Sequence, residues 1–169
     1  MIYRFRIILD VHDDVFRDIE LSKEDSMEDF HNAITQSFGI NGEEMASFYI
    51  SDKNWSQGEE FTLFNMSDGE RPVNLMSQTL LKEVVSEEQT KLIYVYDFLH
   101  MWVFLIELAE IAKPAEGVSY PNLIFSHGEL PEQIPEKDFS LDRDDENPFG
   151  EFDPDSNESN DLGFEENWN

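Results

Sequence analysis

The chain has 169 residues, with 38 Asp and Glu against 11 Lys and Arg, so its formal net charge is −27 at pH 7. This length fits one domain with an appendage, because domains usually span about 100 to 150 residues. The charge repels nucleic-acid phosphates and anionic lipid surfaces, and it favours basic proteins, cationic ligands or metal ions as partners. Because the chain has no cysteine, disulfides, thiol nucleophiles and thiolate metal sites are excluded.

The N-terminus and the apolar stretches of the sequence indicate where in the cell the protein is located. The first six residues place Arg4 and Arg6 among apolar residues and do not form the continuous apolar run of a signal peptide. The longest apolar stretch, residues 101–106, is far shorter than the roughly 20 residues that cross a bilayer. The sequence therefore predicts a cytoplasmic protein that contacts neither membranes nor nucleic acid directly.

The acidic residues are densest at the C-terminus, where residues 138–169 hold 12 Asp and Glu and a single Arg. We therefore predict a folded body over 1–137 and an acidic tail over 138–169. Disordered acidic segments are usually poor in aromatic residues, whereas this tail contains several. Its aromatic residues are Phe139, Phe149, Phe152, Phe164 and Trp168. The tail is either a free solubilising segment, a motif that docks on a basic partner, or a segment that folds back onto the body.

The body opens with the pattern of a β-hairpin. Apolar residues occupy every odd position over residues 3–11, which is the period of a half-buried strand. A polar turn follows at 12–14, and residues 15–21 alternate again. Asp18 and Glu20 are expected to pair with the two arginines of the first strand.

A helix with clear end signals follows at residues 27–38. Its apolar residues recur at the spacing of one helix face: Met27, Phe30, Ile34 and Phe38. Ser26 and Asp29 form a capping box at the start of the helix, and Gly39 is a suitable C-terminal cap. We therefore expect this helix to pack on the hairpin.

The later elements are dominated by a second hairpin, formed by residues 91–98 and 101–111. Both faces of 101–106 are apolar, so this strand is expected at the centre of the sheet, covered by the helix on one face and by a loop or a partner on the other. Weaker patterns predict two strands, a loop and one or two helical turns, in chain order at 46–50, 60–64, 65–73 and 75–85. Together the elements predict an α+β fold with a mostly antiparallel sheet packed on one main helix.

Several segments resemble the plasmid pRiA4b open-reading-frame-three-like family. Residues 94–98 (Tyr-Val-Tyr-Asp-Phe) followed by Trp102 are similar to its Tyr-Asp-Phe-Gly-Asp-x-Trp-x-His signature. Residues 15–19 (Val-Phe-Arg-Asp-Ile) are similar to its Ile-Trp-Arg-Arg-Ile strand, and Tyr120-Pro121 with the Gly-Glu-Leu-Pro-Glu segment 128–132 is similar to its late elements. The resemblance covers most of the body and implies an α+β fold. It implies no reaction, because the family has none established.

The chain departs from the family signature at polar positions. Leu99 and His100 stand where the family has Gly-Asp, and Phe104 stands where it has His. If those polar groups carry an activity elsewhere, the resemblance implies its loss here. Some family members are labelled passenger or resolvase-like proteins of mobile elements. The five scattered arginines of this chain supply neither the arginine cluster nor the basic groove of a recombinase.

A candidate pocket surrounds the turn of the second hairpin. Asp97 has two interpretations there: it accepts backbone amide hydrogen bonds at the turn, or it forms an acid/base pair with His100. Glu107 or Glu110 could complete such a pair. The candidate pocket consists of Tyr96, Asp97, His100, Trp102 and Glu107.

Metal and cofactor motifs are not visible in the sequence. The histidines, which are His12, His31, His100 and His127, lack metal-ligand spacing, and we predict that they are solvated, with His31 on the exposed face of the helix. Residues 153–164 imitate the start of an EF-hand loop, but Phe164 occupies the position of the bidentate glutamate. The sequence therefore predicts neither a metal nor a cofactor.

Taken together, these patterns favour a noncatalytic protein-interaction module that binds a basic protein through its acidic tail or its acidic body. The alternative is a small-molecule binder or enzyme that uses the candidate pocket.

Overall fold

The computed structural model describes residues 1–65 and 73–131. The elements in this part of the chain are β1 (Ile2–Leu9), β2 (Phe16–Ser22), α1 (Met27–Phe38), β3 (Ala46–Ile50), β4 (Glu60–Thr62), a 3₁₀ turn (Met76–Gln78), α2 (Leu81–Val84), β5 (Lys91–Tyr96), β6 (Trp102–Ala112) and β7 (Asn122–His127). The predicted tail with its five aromatic residues, and most of the predicted loop at 65–73, lie outside the described residues.

The seven strands form one sheet in the order β4-β3-β5-β6-β1-β2-β7, and every neighbouring pair is antiparallel. The prediction of a mostly antiparallel α+β fold is confirmed. β6 lies at the centre of the order, as its two apolar faces predicted. It pairs with β1 on one side, where Ile8 lies opposite Leu105, and with β5 on the other.

The predicted opening hairpin is confirmed, with β1 paired to β2 along its whole length. Arg4 forms an ion pair with Glu20 at 2.6 Å, and Arg6 forms one with Asp18 at 2.8 Å. These four side chains lie on the same face of the sheet because residues two apart on a strand share a face. The predicted cross-strand pairs are therefore present.

Helix α1 has the predicted bounds and caps. The Ser26 side chain accepts a hydrogen bond from the Asp29 backbone amide, and the Asp29 carboxylate accepts one from the Ser26 amide. Gly39 ends the helix with φ 76°, a left-handed conformation that glycine adopts without steric cost. The caps satisfy backbone groups that a helix otherwise leaves unpaired at its ends.

The core lies between α1 and one face of the sheet, which we call the packed face. Phe30 of α1 contacts Phe5 of β1 at 4.6 Å between ring centroids and Phe48 of β3 at 5.3 Å. All three side chains are fully buried. Burying an aromatic side chain of this kind stabilises the fold by about 1.5 to 3 kcal/mol. The amphipathic helix is thus held by aromatic packing across the middle of the sheet.

The opposite face, which we call the open face, carries a row of charges across four strands. Asp18 of β2, Arg6 of β1, Glu107 of β6 and Lys91 of β5 occupy directly paired positions, so positive and negative side chains alternate. Glu107 contacts Lys91 at 2.6 Å. Apolar side chains also lie on this face, where Leu105 is half-buried.

Three features differ from the predicted elements. β4 ends at Thr62, two residues earlier than expected. β7 was not predicted, because its Leu-Ile-Phe core does not alternate and its strand pairing depends on the free edge of β2. The first strand of the second hairpin ends at Tyr96, two residues earlier than expected, because Asp97 has φ 61° and leaves the extended conformation.

Candidate functional site

The turn between β5 and β6 is a compact, hydrogen-bonded loop over residues 97–101. Asp97 and Met101 both have positive φ angles, 61° and 55°, which are uncommon for residues with a Cβ atom. The Asp97 carbonyl accepts hydrogen bonds from the backbone amides of His100 and Met101. The Asp97 amide donates to the Met45 carbonyl on the neighbouring chain segment at 2.7 Å. These contacts fix the backbone of Asp97 at the start of the turn.

The Asp97 carboxylate makes both contacts that the two interpretations require. One oxygen accepts a hydrogen bond from the Leu99 amide at 3.2 Å, and the other contacts Nδ1 of His100 at 2.7 Å. The Asp97 side chain is 14% exposed, whereas the His100 side chain is 70% exposed. The imidazole therefore lies at the surface of the turn, and the carboxylate both caps the turn and orients the ring.

Tyr96 and Trp102 lie opposite each other on the packed face, next to this turn. Tyr96 is buried, and its hydroxyl donates to the Asn41 side-chain oxygen at 2.7 Å and accepts from the Glu44 amide at 3.2 Å. Its polar group is thus satisfied within the fold. Trp102 is half-buried and lines an open cleft of about 540 Å³ together with Arg17.

Glu107 lies at the other end of the hairpin. It is opposite Lys91, whereas Trp102 is opposite Tyr96. A strand rises about 3.3 Å per residue, so the five positions from Trp102 to Glu107 span about 17 Å. The structure therefore brings Tyr96, Asp97, His100 and Trp102 together at one end of the hairpin and leaves Glu107 at the other.

Arg17 is a buried cation that the sequence-based list of site residues did not include. It is 6% exposed and donates hydrogen bonds to the backbone carbonyls of Ser37 at 2.8 Å, Phe16 at 2.8 Å and His127 at 3.1 Å. Its guanidinium carbon lies 4.5 Å from the centroid of the Phe38 ring. Burial lowers the pKa of Arg17, and the nearby charge of Glu129 opposes that shift. This side chain joins the end of α1 to β2 and β7.

The prediction that His31 is solvated is wrong. His31 is 2% exposed, and its Nδ1 lies 2.6 Å from the hydroxyl of Tyr94 on β5. Burial lowers the pKa of His31 to about 4, although a hydrogen bond with the Gly42 backbone opposes this shift. Burial also raises the pKa of Tyr94. His31 follows Met27 by four residues and therefore shares its helix face, which is the signal that the prediction missed.

Metal-ligand clusters and membrane-spanning helices are two further features for which the described part of the chain can be inspected. Within residues 1–65 and 73–131, no group of three or more His, Asp or Glu side chains is arranged to hold a metal ion. No helix in these ranges has both the length and the apolar character needed to span a membrane. The imitation of an EF-hand at 153–164 lies outside the described residues.

The fold and this site define an α+β protein built on an antiparallel sheet, with an Asp97-capped turn at one end of its β5–β6 hairpin. A sequence model of the family described as plasmid pRiA4b ORF-3-like proteins matches residues 1–136, so the chain belongs to that family. The expected family membership is thereby confirmed.

A solved structure shares the fold. It is the crystal structure of a protein of unknown function from Methanosarcina mazei Go1, which is 20% identical in sequence with a TM-score of 0.66. The similarity covers 78% of this chain and 72% of the other. No functionally curated protein matches the sequence.

Proposed function

We propose that the protein is a noncatalytic interaction module whose partner is a basic protein. The observation that carries this proposal is the excess of negative charge on the described surface. Residues 1–65 and 73–131 contain 22 Asp and Glu against 8 Lys and Arg, and none of these acidic residues is buried. A surface with such an excess of carboxylates attracts cationic partners and speeds their association.

Most cations in the described part of the chain are already engaged. The ion pairs are Arg4 with Glu20 and Glu110, Arg6 with Asp18, Lys82 with Glu24, and Lys91 with Glu107. Arg17 is buried among backbone carbonyls. The field outside the body is therefore set by the excess carboxylates, and a basic partner is the class of macromolecule that this field favours.

The acidic tail extends this proposal beyond the described residues. We propose that residues 138–169 form a separate segment after the 1–137 body, and that their aromatic side chains contribute apolar contacts to a partner that their carboxylates attract. A cytoplasmic location stays part of the proposal as a prediction from sequence. These statements rest on composition: 12 Asp and Glu, one Arg and five Phe or Trp in this segment.

An affinity pull-down with the full-length chain at low ionic strength tests the proposal. We expect a basic protein to co-purify and to be released when salt is raised to about 1 M, because salt screens exposed charges. Two full-length variants separate charge from aromatic contact. One replaces the tail aromatics by Ala, and the other replaces the tail Asp and Glu by Asn and Gln.

Loss of the partner in both variants supports docking through the tail. A partner retained by both variants but lost when Glu43, Glu44, Glu87 and Glu88 are replaced by Gln assigns the binding to the body, where these residues are exposed. Co-purification of acidic proteins alone, or binding that salt does not weaken, contradicts the proposal.

A second candidate is a small-molecule binder or enzyme with a pocket at Tyr96, Asp97, His100 and Trp102, without Glu107, which lies at the other end of the hairpin. It is favoured by the 2.7 Å contact between Asp97 and His100. Of these residues, Trp102 also lines the cleft of about 540 Å³, on its side towards Arg17. A panel of small molecules and divalent cations should then raise the melting temperature of the protein. The increase should disappear in the double variant Asp97→Asn, His100→Gln; a panel without any stabilising compound contradicts this candidate.

A further inference from the structure

β7 is an edge strand whose outer side pairs with no strand of the described residues. The backbone N–H and C=O groups along such an edge can pair with another extended chain. Edge strands are commonly protected by short length, by charged side chains or by proline. β7 has six residues and contains none of Asp, Glu, Lys, Arg or Pro, and its irregularity is a register shift opposite Asp18 and Ile19. It therefore keeps most of the features of a pairing surface.

The middle of β7 is apolar and exposed. Leu123, Ile124 and Phe125 are 45%, 40% and 49% exposed. Leu123 pairs with Ile19 towards the packed face, and Phe125 pairs with Asp18 towards the open face. A strand added beside β7 would therefore cover apolar surface on both sides of the sheet.

A groove runs beside this edge on the packed face, between β7 and α1. It has a volume of about 320 Å³, and its apolar lining includes Ile19, Ala33 and Leu123. Asn32 and Gln36, which are one helical turn apart on α1, add exposed amide groups. An added strand directs alternate side chains to the same face, so this groove lies where those side chains would fall.

The charge around the groove selects the occupant. Asp29 is the charged residue among those that line it, and no Lys or Arg of the described residues does so. Glu129 follows β7, and Gly128 lies against the backbone of Asp14, so two exposed carboxylates and the buried guanidinium of Arg17 lie at that end of the strand. A second copy of the chain carries −27, and the acidic tail is also negative, so both are repelled. A basic segment is attracted.

We propose that the edge of β7 and the groove beside α1 form a docking surface for an extended, basic segment of a partner protein, which adds to the sheet as an eighth strand. The inference rests on the proposed function, since it names where the basic partner docks. Backbone hydrogen bonds to β7 hold the segment, apolar side chains enter the groove over Leu123, and lysine or arginine side chains approach Asp29 and Glu129.

A peptide library provides the probe. Peptides of about ten residues, long enough to cover a strand, contain a random mixture of Val, Ile, Phe, Thr, Lys and Arg. A matched library carries Asp and Glu in place of Lys and Arg. We expect the full-length chain to enrich peptides from the basic library alone. Binding of a selected peptide should slow hydrogen exchange of the outward-pointing β7 amides, and N-methylation of alternate peptide amides should weaken binding at least about tenfold.

Two double variants of the full-length chain locate the surface. Leu123→Lys with Phe125→Lys places charge on the edge and should weaken peptide binding at least about tenfold. Leu99→Lys with Phe64→Lys makes the same change in net charge at exposed apolar residues elsewhere, which are 89% and 47% exposed. This control pair should bind the peptide as the parent does. All four side chains are exposed, so circular dichroism should show both variants folded.

The outcomes distinguish this inference from the proposed function. Enrichment of basic peptides that the Leu123 and Phe125 variants still bind, without protection of β7, overturns the docking surface and leaves the basic-partner proposal standing. Failure to prefer basic over acidic peptides contradicts both. The inference is also overturned if the outward-pointing β7 amides are already protected from hydrogen exchange in the free chain. Protection that depends on protein concentration indicates a second copy. Protection that does not depend on concentration indicates the chain's own terminal segment.

Discussion

The two faces of the sheet place polar side chains in different settings. On the packed face, Arg17 and His31 are 6% and 2% exposed, and their hydrogen bonds are to uncharged groups. On the open face, Arg6 and Asp18 form an ion pair in which the Arg6 side chain is 49% exposed. Water screens the charges of the ion pair on the open face, whereas it is excluded from the buried polar groups of the packed face. Stability should therefore be sensitive to substitution on the packed face and tolerant on the open face, which leaves the open face freer to vary its charges.

Adjacent residues of β6 test this difference most strongly. Phe104 is fully buried, with ring centroids of Phe38 and Tyr94 at 4.8 Å and 5.6 Å. Phe104→Ala should lower the free energy of unfolding by about 3 to 5 kcal/mol, because it leaves a cavity in the core. Val103→Ala, on the half-buried open face, should cost about 1 kcal/mol. Urea denaturation measures both, and equal losses would contradict the comparison.

The buried histidine predicts a pH dependence. The pKa of His31 is about 4 in the fold, whereas an exposed histidine has a pKa near 6.5. As the pH falls through this window, the unfolded state binds the proton first, so stability present above pH 6.5 is lost towards pH 4. The expected loss is about 3 kcal/mol.

The measurement compares urea unfolding at pH 7, 5 and 4 for the parent chain and His31→Gln. The parent should lose about 3 kcal/mol more than the variant across this range. Tyr94→Phe keeps the buried ring but removes its hydroxyl partner, so it should retain the pH-dependent loss. Parallel pH profiles for the parent and His31→Gln would show that the ring does not titrate in this manner.

Two arginines on neighbouring strands provide the next contrast. Arg17→Met should destabilise the protein by about 2 kcal/mol, because it leaves three partly buried carbonyls without this donor. Arg17→Lys should not restore this loss, since one ammonium group cannot reproduce the planar fork of the guanidinium. Arg6→Met on the open face should cost less than about 1 kcal/mol. Thermal and urea unfolding of the three variants measure these losses of stability. A larger loss in Arg6→Met than in Arg17→Met would contradict the comparison.

The smallest expected effect is the coupling between Arg6 and Asp18. A double-mutant cycle with Arg6→Met and Asp18→Asn should give about 0.2 to 1 kcal/mol at low salt. The coupling should decrease towards zero in about 1 M salt, because both charges are screened at the surface. A larger coupling that resists salt would mean that this part of the open face is covered.

The elements that could be predicted from sequence are those with local signals. The β1–β2 hairpin follows from period-two alternation, and the bounds of α1 follow from Ser26, Asp29 and Gly39. β7 could not be predicted in the same way, because its pairing is decided by the edge of β2, which is about a hundred residues earlier in the chain. Local sequence pattern thus predicts the structure of the N-terminal elements, whereas tertiary context decides the structure of β7.

The candidate site shows the same division. The contacts of Asp97 with Leu99 and His100 are local and follow from the turn. The separation of Glu107 from the turn follows from the rise of a strand, once the hairpin register is known. Helix periodicity could have shown that His31 is buried, because it shares a face with Met27. Its partner Tyr94, 63 residues away, could not be predicted from that local pattern.

The central pairing of β6 with β1 has a consequence during synthesis. Ile8 lies opposite Leu105, so the N-terminal hairpin and α1 leave the ribosome long before the strand that completes their side of the sheet. Contacts between such distant residues form late and slow folding, because a long loop must close first. The nascent chain therefore carries an unpaired β1 edge until β6 emerges, and in that interval a chaperone has the greatest opportunity to protect it.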